Sequence, residues 1–155
     1  MRFSLILSLT GTLVAFFGLS FLFPIITGLI LGENVIDISI MFVIPMFFCL
    51  IFGYIFSFYF HIEEDIRNRE AFALVSIAWI IMVLVSAFPY YAAERGELMS
   101  YQVGIAGAIF ESMSGLTTTG ATILEITDEN QVINNEQYSE GYFDAPKSLL
   151  LWRSQ

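Results

Sequence analysis

The sequence contains little charge and few of the side chains that build catalytic or metal sites. Of its 155 residues, 14% are charged, against roughly 25% in soluble domains. One cysteine, Cys49, and one histidine, His61, provide neither an internal disulfide nor a zinc-binding spacing. Because 57% of the residues are apolar, the composition excludes a soluble enzyme and a disordered chain.

Basic residues are also scarce. Six Lys and Arg residues stand against 15 Asp and Glu, for a net charge of −9. Nucleic-acid binding requires basic patches that these six residues do not form, so we expect no nucleic-acid partner. His61 stands alone at the end of an apolar run, and Ser112 and Ser114 have no base partner in the sequence. We therefore expect neither enzymatic activity nor a cofactor.

Three long uncharged runs predict three membrane-spanning helices. The first, residues 3–32, corresponds to about 45 Å of helix, which exceeds the roughly 30 Å hydrocarbon core and allows a tilt or a break near Pro24. A signal peptide is the alternative for this run, but the run is too long and lacks a small-x-small cleavage site. The other two runs are residues 38–60 and 71–93. Gly28 and Gly32 form a G-x-x-x-G pair, which favours close helix packing.

The positions of the basic residues predict the orientation in the membrane. Arg2 precedes the first run, and Arg67 and Arg69 lie in the short loop between the second and third runs. Since cytoplasmic loops are enriched in Lys and Arg, we expect a cytoplasmic N-terminus. The sequence thus predicts a multi-pass protein of the inner or plasma membrane, surrounded by lipid.

The segment after the third run differs from a membrane span. Residues 98–110 are uncharged but too few to cross a bilayer, a length typical of a buried or re-entrant helix. From Ser112 to Thr122 the chain is rich in small hydroxylic residues and contains two glycines, so we do not expect the helix to continue there. Non-helical backbone at membrane depth is tolerated where protein covers it or where it lines a water-filled cavity.

A short helix followed by such a stretch predicts a pore loop. In pore loops, backbone carbonyls replace the hydration shell of a permeating cation, and glycine permits the required backbone angles. The candidate ligands are the consecutive carbonyls of Thr117, Thr118, Thr119 and Gly120. A solvated threonine-rich turn is the alternative. Glu111 has two interpretations as well: a carboxylate satisfied by nearby backbone or hydroxyl groups, or a direct ion contact.

The residues of this loop resemble the first pore loop of TrkH-type potassium uptake proteins, members of the Trk/Ktr/HKT cation transporter superfamily. The matching residues are Ala108-Ile109-Phe110-Glu111-Ser112-Met113-Ser114-Gly115-Leu116-Thr117-Thr118-Thr119-Gly120-Ala121-Thr122. Supporting matches are Arg69-Glu70-Ala71-Phe72, Phe88-Pro89 and Leu149-Leu150-Leu151-Trp152-Arg153-Ser154-Gln155. The resemblance covers essentially the whole chain.

The resemblance implies an all-α integral membrane protein. Two N-terminal transmembrane helices occupy residues 1–66, and residues 67–155 form the first helix–pore loop–helix repeat, truncated in its last helix. The family uses four such repeats in one polypeptide, with a filter glycine of each facing a shared axis. KtrB-type relatives lack the first helix pair, which favours the TrkH type. We therefore expect an N-terminal fragment of a longer transporter.

The resemblance also implies the transported ion and the partners. Potassium is the expected substrate, with the carbonyls of Thr118 and Thr119 as the main ligands, bounded by Thr117 and Gly120. A homodimer of full-length chains and a cytosolic nucleotide-binding regulatory subunit are the expected partners. Gly120 is followed by Ala121 and lacks the second glycine of the Thr-Val-Gly-Tyr-Gly channel filter. We therefore expect looser discrimination of potassium from sodium.

An acidic segment follows the loop. Residues 125–144 include six acidic residues and no basic one. An acidic vestibule of this kind concentrates cations near a pore entrance, whereas the plainer interpretation is a solvated loop. For the whole chain, two further interpretations remain: a small cation-channel subunit that forms a homotetramer, and a membrane-anchored accessory or scaffold protein whose Thr-Gly stretch is a simple loop.

Overall fold

The computed structural model describes residues 3–60, 67–99, 103–123 and 145–154, and every regular element within these ranges is a helix. This confirms the expected all-α fold. In chain order the elements are α1 (Phe3–Ser20), α2 (Leu22–Ile30), α3 (Val35–Ile38), a π-helical turn (Ser39–Val43), α4 (Ile44–Tyr59), α5 (Asn68–Arg95), α6 (Gly104–Leu116) and α7 (Lys147–Ser154).

Within the described residues, three helical stretches are long and apolar enough to cross a membrane. They are Ser4–Ile30, Val35–Tyr59 and Asn68–Arg95, with 27, 25 and 28 residues. An 18-residue segment of each has a mean hydropathy of 2.3, 2.6 and 2.5, respectively. At about 1.5 Å per residue, each stretch exceeds the roughly 30 Å hydrocarbon core. The structure thus confirms the three helices that the uncharged runs predict.

The first stretch is interrupted at Phe21, between α1 and α2. Pro24 has no backbone N–H, so it cannot bond to the carbonyl of Ser20 four residues earlier. The backbone nitrogen of Phe21 instead donates to the carbonyl of Gly18 at 3.4 Å. The break expected near Pro24 therefore lies three residues before it.

A π-helical turn separates α3 from α4 in the second stretch. Pro45 follows this turn in the sequence, and a proline ring clashes with the carbonyl four residues earlier in a regular helix, here that of Met41. The wider π turn accommodates the ring. Met41 and Phe42, both within the turn, are buried.

Glycines allow α1 and α4 to pack closely. A Cβ atom built at Gly53 would lie 2.5 Å from the carbonyl oxygen of Gly11 and 2.6 Å from the Cβ of Ala15. A Cβ at Gly18 would lie 2.8 Å from the Cβ of Cys49, which is fully buried. Small residues of this kind let helix backbones approach each other within a membrane, where close packing drives association.

Of the G-x-x-x-G pair, Gly28 allows the predicted close packing, because a Cβ there would lie 2.9 Å from Cδ1 of Ile38 in α3, whereas Gly32 has a different role. Gly32 follows α2 with a φ of +73°, and a Cβ there would have no contact within 4 Å among the described residues. The backbone nitrogen of Glu33 donates to the carbonyl of Gly28 at 3.0 Å, and that of Gly32 donates to Leu29 at 3.3 Å. These are the bonds of a Schellman helix end, so the pair ends α2.

The core contains an aromatic cluster around Trp152 of α7. Its ring stacks on Phe21 with the centroids 4.2 Å apart, and Phe17 and Phe42 lie at 5.9 and 6.2 Å. The indole nitrogen of Trp152 donates to the carbonyl of Ser86 in α5 at 3.1 Å. Side chains from both predicted domains, residues 1–66 and 67–155, thus share one core, and the division between them stays a prediction.

Helix α6 extends to Leu116, beyond Glu111, so the prediction that the helix stops there is wrong. The hydroxyl of Ser112 donates to the carbonyl of Val83 in α5 at 2.7 Å, and the hydroxyl of Ser114 donates to a carbonyl of the following loop. Serine hydroxyls weaken a helix when they compete for its own backbone groups. Here they have partners outside the helix, so the helix continues.

Candidate functional site

The N-terminus of α6 is anchored by a carboxylate from α5. The backbone nitrogen of Gly104 donates to Oε2 of Glu94 at 2.7 Å. A negative side chain at this position satisfies a free amide group and interacts favourably with the positive end of the helix dipole. The opposite end, which is negative, leads directly into the loop that begins at Thr117.

The C-terminus of α6 is a Schellman motif. The backbone nitrogens of Thr118 and Thr119 donate to the carbonyls of Gly115 and Ser114, at 3.0 and 3.1 Å. The left-handed position of this motif is usually a glycine, but here it is Thr118, with a φ of +53°. This conformation costs a non-glycine residue roughly 1–2 kcal/mol, and it is uncommon for β-branched side chains.

The sign of φ alternates along the loop. Thr117 has a φ of −91° and Gly120 a φ of +74°. Thr119 has a negative φ, because the described non-glycine residues with a positive φ are Glu97 and Thr118. In backbone that alternates in this way, successive amide groups converge, and here the amides of Thr118 and Thr119 bond to the last turn of α6. All four residues from Thr117 to Gly120 are exposed.

The threonine hydroxyls restrain the loop. The hydroxyl of Thr117 donates to the carbonyl of Met113 at 2.6 Å, and the hydroxyls of Thr117 and Thr119 are 2.8 Å apart. These bonds hold the first and third residues of the loop against the end of α6.

Glu111 is fully buried beside the loop and accepts hydrogen bonds on both oxygens. Its Oε1 accepts from the hydroxyl of Thr122 at 2.9 Å and from the backbone nitrogen of Ile123 at 2.6 Å. Its Oε2 accepts from Nε of Arg153 at 3.1 Å. The interpretation that backbone and hydroxyl groups satisfy Glu111 is confirmed, and Arg153 is an additional partner that the sequence did not indicate.

Arg153 in α7 also contacts the loop itself. Its Nη2 lies 3.4 Å from the carbonyl oxygen of Gly120. At the other end of α7, the backbone nitrogen of Ser148 donates to Oε1 of Glu33 at 3.0 Å, and its hydroxyl donates to Oε2 at 2.5 Å. Helix α7 is therefore fixed at its start by the turn after α2 and near its end by α6.

The structure places the four predicted ligands together at the negative end of α6. Sequence reasoning missed Glu33, Glu94 and Arg153, which hold the surrounding helices. Their one signal in the sequence was position: Glu33 and Glu94 directly follow uncharged runs, and Arg153 follows Leu149-Leu150-Leu151-Trp152. Arg2, the loop residues 61–66 and the acidic segment 125–144 lie outside the described residues, so their predicted roles stay predictions.

Comparison with known proteins reveals similarity over nearly the whole chain, although no family model and no solved structure matches it. The Trk system potassium uptake protein TrkH of Vibrio parahaemolyticus is 28% identical over 155 residues, which are 99% of this chain and 27% of that protein. TrkG of Escherichia coli is 34% identical over 118 residues, 74% of this chain and 22% of that protein. An uncharacterized cation transporter of Methanocaldococcus jannaschii is 28% identical over 149 residues, 96% of this chain and 26% of that protein. The chain thus spans about a quarter of the length of these relatives.

Proposed function

We propose that this chain, which belongs to the TrkH-type family of potassium uptake proteins, supplies one quarter of a potassium-conducting pore. The observation that supports this most directly is the alternating backbone from Thr117 to Gly120 at the negative end of α6. One such loop covers one side of an ion, and a filter needs several loops around an axis. The matched relatives are long enough to contain further loops.

In this proposal, the backbone carbonyls bind the ion. The carbonyls of Thr118 and Thr119 are the main ligands, with those of Thr117 and Gly120 at the boundaries, and they replace the hydration shell of potassium. The negative end of the α6 dipole favours a cation at this place. The membrane potential drives uptake, since each elementary charge gains about 2.3 kcal/mol per 100 mV.

The proposal includes an orientation and partners. With a cytoplasmic N-terminus, the turn containing Glu33, the C-terminus of α5 and the start of α7 lie on the outer side of the membrane. Cations would then enter from that side. A homodimer of full-length chains and a cytosolic nucleotide-binding regulatory subunit are the partners that the family resemblance implies.

Replacement of Gly120 tests the proposal. The full-length protein is expressed in cells without their own potassium uptake systems, and potassium uptake is measured for the wild type and for Gly120→Ala. A Cβ at position 120 has no contact within 4 Å among the described residues, but the φ of +74° is strained for alanine. We expect the substitution to displace the adjacent carbonyls and abolish uptake.

Gly32→Ala is the matched control. Gly32 has a φ of +73° and equally open surroundings, so alanine meets the same backbone strain there, far from the loop in sequence. We expect this variant to retain uptake. A wild-type protein without flux supports the scaffold interpretation, and a Gly120→Ala variant with full uptake contradicts the filter role.

A further inference from the structure

Arg153 connects Glu111 of α6 to the last carbonyl of the loop, that of Gly120. Its Nε is 3.1 Å from Oε2 of Glu111, and its Nη2 is 3.4 Å from the carbonyl oxygen of Gly120. The guanidinium group is a planar, rigid fork, so two acceptors that share it are held in a fixed relation to each other. The distance of the Gly120 oxygen from α6 therefore depends on Arg153.

We propose that Arg153 and Glu111 are positioning residues for the Gly120 carbonyl, and that their contacts set how well the loop discriminates potassium from sodium. This inference rests on the proposed function. Neither side chain touches the ion in this role. They act by fixing the backbone that does.

The hydrogen bonds of Glu111 support a positioning role over direct ion binding. The side chain is fully buried, and both of its oxygens are engaged by protein donors. Two of these donors belong to Thr122 and Ile123, which follow the loop. The loop is therefore restrained on both sides: by the Schellman bonds before it and by Glu111 after it.

Helix α7 is itself fixed, so it can serve as the support for Arg153. Trp152, the preceding residue, stacks on Phe21 and donates to the carbonyl of Ser86. Ser148 bonds to Glu33 at the start of the helix. A rigid support matters because a side chain can hold a carbonyl in place only as firmly as its own backbone is held.

Two substitutions of Arg153 in the full-length protein test the proposal. Arg153→Gln removes the charge, whereas Arg153→Lys keeps it but lacks the planar fork that reaches both acceptors. Uptake of potassium and of sodium is measured separately, and the amount of protein in the membrane is determined. When two residues are in contact, the effect of replacing one on an equilibrium constant commonly depends on the other by a factor of about 2 or more. We expect both variants to lower the potassium-to-sodium uptake ratio by at least about twofold.

A double variant separates positioning from stability. Glu111→Gln or Arg153→Gln alone leaves a charge without its ion-pair partner, which reduces the amount of folded protein. The combination Glu111→Gln with Arg153→Gln removes both charges, and we expect it to restore the membrane level but not the ion ratio. If the ratio recovers together with the level, the pair has a purely structural role and the inference is overturned.

Arg95→Gln and Glu97→Gln are the controls, because both residues are exposed near the end of α5 and Arg95 contacts Tyr91. Both controls should keep the wild-type ion ratio. A wild-type protein that takes up no potassium overturns the proposed function and this inference together. A wild type that takes up potassium, with an unchanged ratio in Arg153→Lys, overturns this inference alone. Arg153→Lys also decides the question if Arg153→Gln does not reach the membrane.

Discussion

Glu33 accepts hydrogen bonds from both the backbone nitrogen and the hydroxyl of Ser148, 115 residues further along the chain. Ser148 is fully buried and lies in the first turn of α7. A carboxylate at a helix N-terminus satisfies free amide groups and interacts favourably with the helix dipole. This contact joins the turn after the first membrane-spanning stretch to the helix that positions Arg153.

Replacement of Glu33 should therefore destabilise the protein. Glu33→Ala leaves two donors of Ser148 without their acceptor in a buried place, which costs about 1–3 kcal/mol. Ser148→Ala removes one donor and should cost less. The midpoint of thermal unfolding of the full-length protein in detergent measures both effects, with the exposed Glu97→Gln as control. A Glu33→Ala variant with the wild-type midpoint would contradict the role of this contact.

The left-handed conformation of Thr118 predicts an unusual effect of glycine. Thr118→Gly and Thr118→Val both remove the hydroxyl, but valine keeps the strained β-branched Cβ at a φ of +53°. We expect the glycine variant to be more stable than the valine variant by about 1 kcal/mol. The comparison of their unfolding midpoints tests this, and a more stable valine variant would be evidence against the left-handed conformation.

The close approach of α1 and α4 predicts that Gly53 tolerates no side chain. In Gly53→Ala, the new methyl group would meet the carbonyl oxygen of Gly11 and the Cβ of Ala15 at distances that require the helices to separate. Overpacking of this kind costs about 1–3 kcal/mol. Gly96→Ala is the control, because a Cβ there makes contacts at 3.4 Å or more. Equal unfolding midpoints for the two variants would show that the helices can adjust without cost.

Neutralisation of the acidic segment tests the predicted vestibule. Replacement of several carboxylates between residues 125 and 144 by their amides should reduce potassium uptake at low ionic strength, because fewer cations are concentrated near the entrance. The difference should decrease in high salt, where charges are screened. Uptake rates at two salt concentrations measure this, and a loss that does not depend on salt would favour the solvated-loop interpretation.

Much of the architecture follows from local sequence. Uncharged runs longer than the hydrocarbon core are sufficient to predict the three spanning helices, because lipid excludes charged side chains and unsatisfied backbone groups. Pro24 and Pro45 lie close to the irregularities of the first two stretches, since proline removes a donor, whereas Pro89 lies inside the uninterrupted α5. The Thr-Gly stretch also indicates where the candidate loop lies, because its composition differs from that of its apolar neighbours.

The length of α6, in contrast, could not be predicted from local sequence. The serines after Glu111 favour either a helix or a turn, depending on where their hydroxyls bond. Their partners include Val83 on another helix, and no local pattern indicates them. The left-handed conformation of Thr118 could not be predicted from local sequence either, because that position of a helix end is usually a glycine.

The sequence by itself determined the number of apolar helices and the position of the loop, because both depend on properties of consecutive residues. Only the tertiary structure decided which charges hold the loop in place. Glu33, Glu111 and Arg153 are far apart in the chain, and their hydrogen bonds to Ser148, Ile123 and Gly120 exist because the packed helices bring them together. A buried charge is stabilised by the residues that contact it in the folded protein, and a single sequence does not indicate which residues these are.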